Sequence, residues 1–349
     1  MQPFSVSSEI STSQLPWKHR LTLRFAALLF NASVRSDLTV NRRLLNFLDP
    51  KIPPNPNSIH AVSSSDLTID ASRDLFLRIF TPTDAAINAA AVAATDSLLP
   101  PVIFYFHGGG FAFGSAAATS MDMAARRFSK ELGAVIISVN YRLAPQFRFP
   151  CQYDDGFDAV KFIDEMDDDD PLLGKADLSR CFILGESAGG NLGHHVAVRA
   201  SEYAFKRVKV IGFIASQPFF GGEERTESEI RLCNQPPLTL KLADWFWKAF
   251  LPAGEDRDHA AANVNGPNGR DVSGLRNFPA TIILAGGLDL LIDRQRRYYE
   301  ELKRMGKEVK LVVFTNGVHG FFSFEDLPEY SLMIKEMRDF IAMFHRNIL

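Results

Sequence analysis

A serine lies at the centre of residues 185–189, whose letters GESAG fit the pattern G-x-S-x-G. In that pattern small residues let the chain turn sharply from a strand into a helix, and the serine is held exposed above the sheet. The context fits, because an apolar run at residues 181–184 precedes the segment and a helical pattern follows it. The sequence therefore predicts that Ser187 is a nucleophile.

A run of three glycines lies in residues 107–111, with the letters HGGGF, directly after the apolar residues 102–106. Glycines leave backbone N–H groups accessible because no Cβ obstructs a substrate oxygen. Such a loop, together with the residue after a nucleophilic serine, can bind the charge of a tetrahedral intermediate. We expect the donors of this oxyanion hole to be Gly109 and Gly110, with Gly108 close by, and Ala188.

A serine nucleophile needs a base, and the base needs an acid to orient it. Asp289 and His319 fit the chain order serine, acid, histidine, and each follows a predicted strand, where parallel sheets place active sites. Asp293 competes with Asp289, which we favour because an acid at Asp293 would stabilise a helix N-terminus in any case. His259 precedes the acid and His345 lies in the terminal helical pattern, so His319 is the best candidate base.

Short β-rich runs alternate with helical patterns along the chain. Residues 67–69 and 75–80 are predicted to form a strand pair, and residues 84–101 an alanine-rich connection. Later apolar runs are separated by helix-length segments, which indicates parallel strands with helical crossovers. These runs are residues 102–106, 134–139, 181–185, 208–216, 280–285 and 309–314.

Two segments fall outside this alternation. Residues 1–50 contain a helical pattern and form a predicted N-terminal cap or lid, and the remaining domain covers residues 60–349. An insertion at about residues 221–267 is predicted to form a second, helical part of the cap. Its aromatic side chains should mostly form the core of the cap, with some in contact with substrate. They are Trp245, Phe246, Trp247 and Phe250.

Composition excludes several classes of protein. Of the 349 residues, 46% are hydrophobic and 23% are charged, which is typical of a globular chain and excludes disorder, collagen and coiled coil as global descriptions. Lys plus Arg number 38 against 41 Asp plus Glu, so no basic excess is present to bind nucleic acid. Three cysteines without CxxC spacing argue against a disulfide framework or a zinc site and favour a reducing compartment.

Membrane and cation binding are not expected either. The most apolar early stretch, residues 21–34, is too short and too interrupted for a signal peptide or a membrane span, so we expect a cytoplasmic protein. Acidic residues cluster at Asp164, Glu165 and 167–170, but they lack the spacing of a calcium loop. We therefore expect that cluster to be a solvated helix end and loop.

Taken together, these motifs resemble the plant carboxylesterases of the hormone-sensitive-lipase-like branch of the α/β-hydrolases, the branch that also contains the gibberellin receptor. The resemblance covers nearly the whole chain and is carried by residues 107–111 (HGGGF), 140–145 (NYRLAP), 153–156 (YDDG), 185–191 (GESAGGN), 287–293 (GLDLLID) and 319–321 (HGF). It implies an α/β-hydrolase fold, with a mostly parallel sheet flanked by helices and a helical cap. It also implies that Ser187, Asp289 and His319 form the catalytic triad and that residues 108–110 form the oxyanion hole.

Two positions depart from the pattern of the branch. Glu186 replaces the usual aspartate, which keeps the charge, and residues 146–147 (QF) replace an acid and a histidine, which would alter the surface near the pocket. The presence of His319 matters more than these two departures, because the receptor lineage of the branch lacks the catalytic histidine.

The expected function is that of a serine carboxylesterase acting on a small or medium-sized, largely apolar ester, with no metal or organic cofactor. Two alternatives stay open. One is a cyclase, lyase or dehydratase of specialised metabolism on the same scaffold, because fold does not fix the reaction. The other is a gibberellin-receptor-like protein that binds a hormone without turnover, against which the intact triad argues. Protein partners and oligomeric state are not determined by the sequence.

Overall fold

The apolar runs of the sequence form the interior of an eight-stranded β-sheet. The computed structural model describes residues 15–90, 99–167, 170 and 175–344. Each predicted strand is present, although several extend beyond the apolar run that indicated them. The strands are β1 (Val62–Asp70), β2 (Leu75–Pro82), β3 (Pro101–Phe106), β4 (Val135–Val139), β5 (Asp177–Glu186), β6 (Val210–Ser216), β7 (Ala280–Leu288) and β8 (Val309–Val318).

The strand order across the sheet is β1-β2-β4-β3-β5-β6-β7-β8. β1 pairs antiparallel with β2, and β2 with β4, whereas all the later pairings are parallel. This arrangement confirms the expected mostly parallel sheet. Because β5, β6, β7 and β8 are consecutive neighbours, their carboxyl ends meet at one edge, where binding sites of such sheets form.

Helices connect the strands and cover both faces of the sheet. Side chains alternate along a strand, so Phe104 of β3 belongs to one buried cluster, with Val196, and Tyr105 belongs to another, with Phe128 and Met337. The helices among the described residues are α1 (Trp17–Ser33), α2 (Arg42–Leu48), α3 (Asp84–Ala90), α4 (Thr119–Leu132), α5 (Cys151–Asp164), α6 (Ala188–Glu202), α7 (Glu227–Arg231), α8 (Leu240–Phe250), α9 (Ile292–Arg304) and α10 (Pro328–Met343).

The N-terminal helices pack against the rest of the chain near the carboxyl edge of the sheet. Leu23 of α1 is buried in the core that α4 and α10 share. Arg42 of α2 donates a hydrogen bond of 2.8 Å to the carbonyl oxygen of Ala144. The indole N–H of Trp245, on α8, donates to the carbonyl oxygen of Arg35 at 2.8 Å, which joins the two segments predicted to form a cap.

One expectation about the acidic cluster is wrong. Asp164 is buried at the end of α5, and its carboxylate accepts the backbone N–H groups of Lys206, Arg207 and Val208 at 2.7 to 2.9 Å. Three backbone donors compensate for its burial, so this residue fixes a turn rather than facing solvent. Residues 168–169 of the cluster, and residues 91–98 of the predicted connection after α3, lie outside the described residues.

None of the helices that the structure describes is long and apolar enough to cross a membrane. The His, Cys, Asp and Glu side chains of the described residues form no group of three or more that could hold a metal ion.

Candidate active site

Ser187 occupies the junction between β5 and α6. Its φ of 53° and ψ of −116° form a strained backbone conformation for a residue with a side chain. The N–H of Ser187 donates to the carbonyl oxygen of Ser216 at 2.9 Å, which fastens the turn to β6. A Cβ atom on Gly189 would lie 1.9 Å from the carbonyl oxygen of Phe106, so the turn requires glycine there. The local sequence thus explains how the serine is presented at the sheet edge.

His319 connects Ser187 to Asp289. Its Nε2 lies 3.0 Å from Ser187 Oγ, and its Nδ1 lies 2.9 Å from Asp289 Oδ2. If Nδ1 carries the proton shared with the carboxylate, Nε2 presents a lone pair to the serine hydroxyl. Asp289 is fully buried and His319 is 9% exposed, so bulk water screens this chain of hydrogen bonds weakly.

The competing candidates lie elsewhere. The Asp293 carboxylate accepts the backbone N–H of Ser228 at 2.8 Å, at the start of α9. His259 packs edge-on against the ring of Phe149, with 4.8 Å between ring centroids. His345 lies outside the described residues. The structure therefore brings Ser187 together with the acid and the histidine that the chain order favoured.

Two glutamines beside Asp289 are not predicted from the sequence. Gln217 Nε2 and Gln295 Nε2 donate to Asp289 Oδ2 at 3.0 and 3.1 Å, and the backbone N–H of Leu291 donates to Oδ1 at 3.0 Å. Both oxygens of this buried carboxylate therefore accept hydrogen bonds from the protein. A signal for Gln217 exists, since this polar residue directly follows a predicted strand, whereas Gln295 lies on α9 without any motif.

The triple-glycine loop lies beside Ser187. A Cβ atom on Gly108 would be 3.4 Å from the Cβ of Ser187. Within the described residues, the backbone N–H groups of Gly109, Gly110 and Ala188 donate no hydrogen bond to the protein. Donors that lie next to a nucleophile and have no protein acceptor can bind an oxygen that gains negative charge.

Packing holds this loop in place. Gly110 has a φ of +59°, and a Cβ there would lie 2.3 Å from the ring of Phe246, so α8 packs directly on the loop. The buried ring of His107 donates from Nδ1 to the Gly108 carbonyl oxygen at 2.8 Å and stacks on Tyr141. Burial lowers the pKa of His107 to about 4, so this histidine is neutral and supports the loop.

Comparison with known proteins gives the family. The profile of the α/β-hydrolase fold matches residues 103–323, which is more than half of the chain. The chain belongs to the α/β-hydrolase family. The profile of the carboxylesterase family also matches, over residues 53–151.

This α/β-hydrolase is similar to plant proteins of two kinds. It is 42% identical over 326 residues to a gibberellin receptor from Oryza sativa subsp. japonica, covering 90% of each chain. It is 34% identical over 289 residues to carboxylesterase 20 from Arabidopsis thaliana, covering 81% of this chain and 86% of that protein. These relatives confirm the resemblance to the branch that contains plant carboxylesterases and the gibberellin receptor.

A solved structure shows the same fold. An esterase from the hyperthermophilic archaeon Pyrobaculum calidifontis superimposes with a TM-score of 0.68 at 24% identity, covering 98% of this chain and 94% of its own.

The two departures from the branch pattern have structural partners in this α/β-hydrolase. Glu186 is 2% exposed, and one carboxylate oxygen accepts the hydroxyl of Tyr105 at 2.5 Å. Its other oxygen, Oε1, has no partner among the described residues. Burial raises the pKa of Glu186 to about 7. Gln146 accepts a hydrogen bond of 3.0 Å from Arg42, so it helps to tie α2 to the body of the α/β-hydrolase.

A cavity of about 490 Å³ opens beside Ser187 and His319. Most of its wall is apolar, with a few charged side chains including Arg42 and Lys51. Helices α1 and α2 and the segment before and within α8 supply much of the wall. Their apolar lining residues are Leu23, Ala26, Leu29, Phe30, Leu45, Leu48, Pro237, Leu238, Leu242 and Phe246.

The aromatic residues of the cap insertion divide between the cavity and the core. Phe246 lines the cavity and packs edge-on against Phe113, with ring centroids 5.1 Å apart. Trp247 and Phe250 are buried in the main core, and Trp247 stacks on Phe219. The site thus combines a serine hydroxyl, an imidazole, a buried carboxylate and N–H donors that have no protein acceptor with an apolar chamber.

Proposed function

We propose that this α/β-hydrolase is a serine carboxylesterase. The observation that carries the proposal is the hydrogen-bonded chain from Ser187 Oγ through His319 to buried Asp289, at the wall of the cavity. Such a chain activates an otherwise weak hydroxyl nucleophile. Similarity to carboxylesterases supports the same reaction class.

Acylation begins when Ser187 Oγ attacks the ester carbonyl carbon and His319 Nε2 takes the hydroxyl proton. Asp289 holds the imidazole through Nδ1 and stabilises the imidazolium that forms. The carbonyl oxygen becomes an oxyanion, to which Gly109, Gly110 and Ala188 donate their N–H groups. Each such donor contributes about 3 kcal/mol of transition-state stabilisation.

The intermediate then collapses. The bond between the carbonyl carbon and the alcohol oxygen breaks, and His319 returns its proton to the leaving alcohol. Water next attacks the acyl-serine, again giving a proton to His319, and the second collapse releases the acid and restores the Ser187 hydroxyl.

The size and chemistry of the cavity indicate the substrate class. A volume of about 490 Å³ suits a small to medium ligand, and the predominance of apolar side chains favours an apolar body around the ester. We propose that α1 and α2, which supply part of the wall, act as the lid of this site, and that the insertion containing α8 completes the cap.

The test is hydrolysis of p-nitrophenyl acetate, butyrate and octanoate by the purified protein, combined with labelling by a fluorophosphonate. We expect turnover and a covalent label on Ser187. Ser187→Ala should lose at least about 10³-fold in kcat and all labelling. Ser138→Ala is the matched control, because Ser138 is also a buried serine but lies within β4. A label on another residue, or full activity in Ser187→Ala, would refute the assignment.

Hormone binding without turnover is the second candidate, and the 42% identity to a gibberellin receptor favours it. The same cavity would hold the ligand, and the triad would be idle. Calorimetric titration with a gibberellin separates the two. Tight binding by a protein that hydrolyses no ester of the panel would support the receptor, whereas ester turnover with weak gibberellin binding would support the esterase.

A further inference from the structure

The segment at the end of β6 contacts Ser187, Asp289 and the chain on either side of His319. We call Ser216–Phe219 the β6 junction. Its backbone forms two hydrogen bonds with the backbone of Ser187. The Ser187 N–H donates to the Ser216 oxygen at 2.9 Å, and the Phe219 N–H donates to the Ser187 oxygen at 2.9 Å. Neither bond involves a side chain of the junction.

The side chain of Gln217 contacts Asp289 and the two residues that flank His319. Its Nε2 donates to Asp289 Oδ2 and to the Val318 carbonyl oxygen, both at 3.0 Å. Its Oε1 accepts the N–H of Gly320 at 2.8 Å. Since Val318 and Gly320 flank His319, one amide connects the acid to both sides of the base. The two acceptors and one donor around it also fix which end of the amide is nitrogen.

The backbone of Gln217 is strained. Its φ is +45°, which is unfavourable for a residue with a side chain, and the residue is fully buried. A hydrogen bond of 2.8 Å from its N–H to the Leu284 oxygen helps to hold that conformation. Strain of this kind persists where the surroundings fix it, and it is concentrated at functional sites.

We propose that Gln217 is a positioning residue for the hydrolysis proposed above, setting the placement of His319 relative to Asp289. A short bridge between two segments 30 residues apart limits how far the imidazole can move from the carboxylate. Misplacement of a reacting group by about 1 Å can reduce a rate about 100-fold.

Gln295 provides a matched control. It donates to the same Asp289 oxygen at 3.1 Å, but its Oε1 has no partner among the described residues. Both glutamines therefore supply one N–H to the acid, and only Gln217 is also bonded to the segment that carries His319. Both variants lose one donor to Asp289, so the difference in kcat between them reports the effect of the Gln217 bonds to Val318 and Gly320.

The experiment compares Gln217→Met with Gln295→Met. We expect kcat to fall about 10- to 100-fold in Gln217→Met, with KM within about twofold of wild type, and to fall less than about fivefold in Gln295→Met. Gln217→Asn is the second variant in case the methionine variant does not fold. It keeps the amide but is one methylene too short to span both partners, so it should show the same kcat loss. Equal losses at 217 and 295, or an unchanged kcat at 217, would overturn the proposal.

A second measurement does not need turnover. In protein labelled with ¹⁵N at histidine, the Nδ1 proton of His319 should give a low-field resonance, because it is hydrogen-bonded to a buried carboxylate. We expect this signal to be lost or broadened in the Gln217 variants and kept in Gln295→Met. If the wild type hydrolyses no ester, the proposed function fails while this signal still tests Gln217. A sharp, unshifted signal in a folded Gln217 variant would overturn the positioning role.

Discussion

Glu186, directly before Ser187, gives a prediction that can be worked through in free energy. Its carboxyl is 2% exposed, and burial raises its pKa from an ordinary 4.5 to about 7. The folded protein therefore keeps this proton to higher pH than the unfolded chain does. As pH rises through the interval from 4.5 to 7, the folded state binds more protons, so the free energy of unfolding falls.

The size of the effect follows from the pKa difference. About 1.4 kcal/mol corresponds to one pKa unit, so a difference of about 2.5 costs the folded state about 3 kcal/mol once the pH exceeds 7. Between pH 5 and pH 8, about 2 to 3 kcal/mol of this loss should be seen. Glu186→Gln removes the ionisation and with it this contribution to the pH dependence.

Urea unfolding at pH 5 and pH 8 measures the effect. The free energy of unfolding of Glu186→Gln minus that of wild type should rise by about 2 to 3 kcal/mol from pH 5 to pH 8. In this difference, the contributions of groups that titrate alike in both proteins cancel. Tyr105→Phe is the opposite test, because the Tyr105 hydrogen bond lowers the pKa of Glu186. In this variant the free energy of unfolding should fall more between pH 5 and pH 8 than it does in wild type. Parallel pH profiles for Glu186→Gln and wild type would refute the reasoning.

Gly110→Ala should reduce kcat about 100-fold, because the new methyl group would lie 2.3 Å from the ring of Phe246 and displace the Gly110 N–H, a donor of the proposed oxyanion hole. Gly306→Ala is its control, since Gly306 also has a positive φ but no atom within 4 Å of a new Cβ, and its kcat should not change. Arg42→Ala removes the bonds from α2 to the body of the protein and should raise KM about tenfold with kcat nearly unchanged, as measured with p-nitrophenyl butyrate; a lower kcat at constant KM would contradict a lid role. His319→Val should lose at least about 10³-fold in kcat while calorimetric affinity for a non-hydrolysable ester analogue stays within a few-fold, and retained turnover would point to another base.

The sequence predicts much of the site for two reasons. The turn around Ser187 depends on contiguous small residues, and a strand followed by G-x-S-x-G indicates that turn without any knowledge of the rest of the fold. Asp289 and His319 follow from a simple rule, since residues just after parallel strands meet at one edge of the sheet. The relatives then confirm the family that these motifs indicate.

Strand lengths are less predictable, because pairing rather than hydrophobicity decides them. The apolar run before His319 ends at Phe314, but β8 continues to Val318 by pairing with Leu288 of β7. β1 likewise starts at Val62, well before the apolar residues that indicated it, because it pairs along the whole of β2. In both cases backbone hydrogen bonds to a neighbouring strand include polar residues in the sheet.

The turn at Ser187, the glycine loop and the chain order of Asp289 and His319 can be predicted from the sequence, because each depends on a short segment or on the order of the strands. The side chains that complete the site depend on the assembled fold. Ser187 and His319 are 132 residues apart, and Gln217 and Asp289 are 72 apart. No local pattern encodes such pairs, since they form only when β5, β6, β7 and β8 lie side by side. The same packing turned Asp293 toward Ser228 and brought Phe246 onto Gly110, because buried side chains take the partners that the assembled core offers.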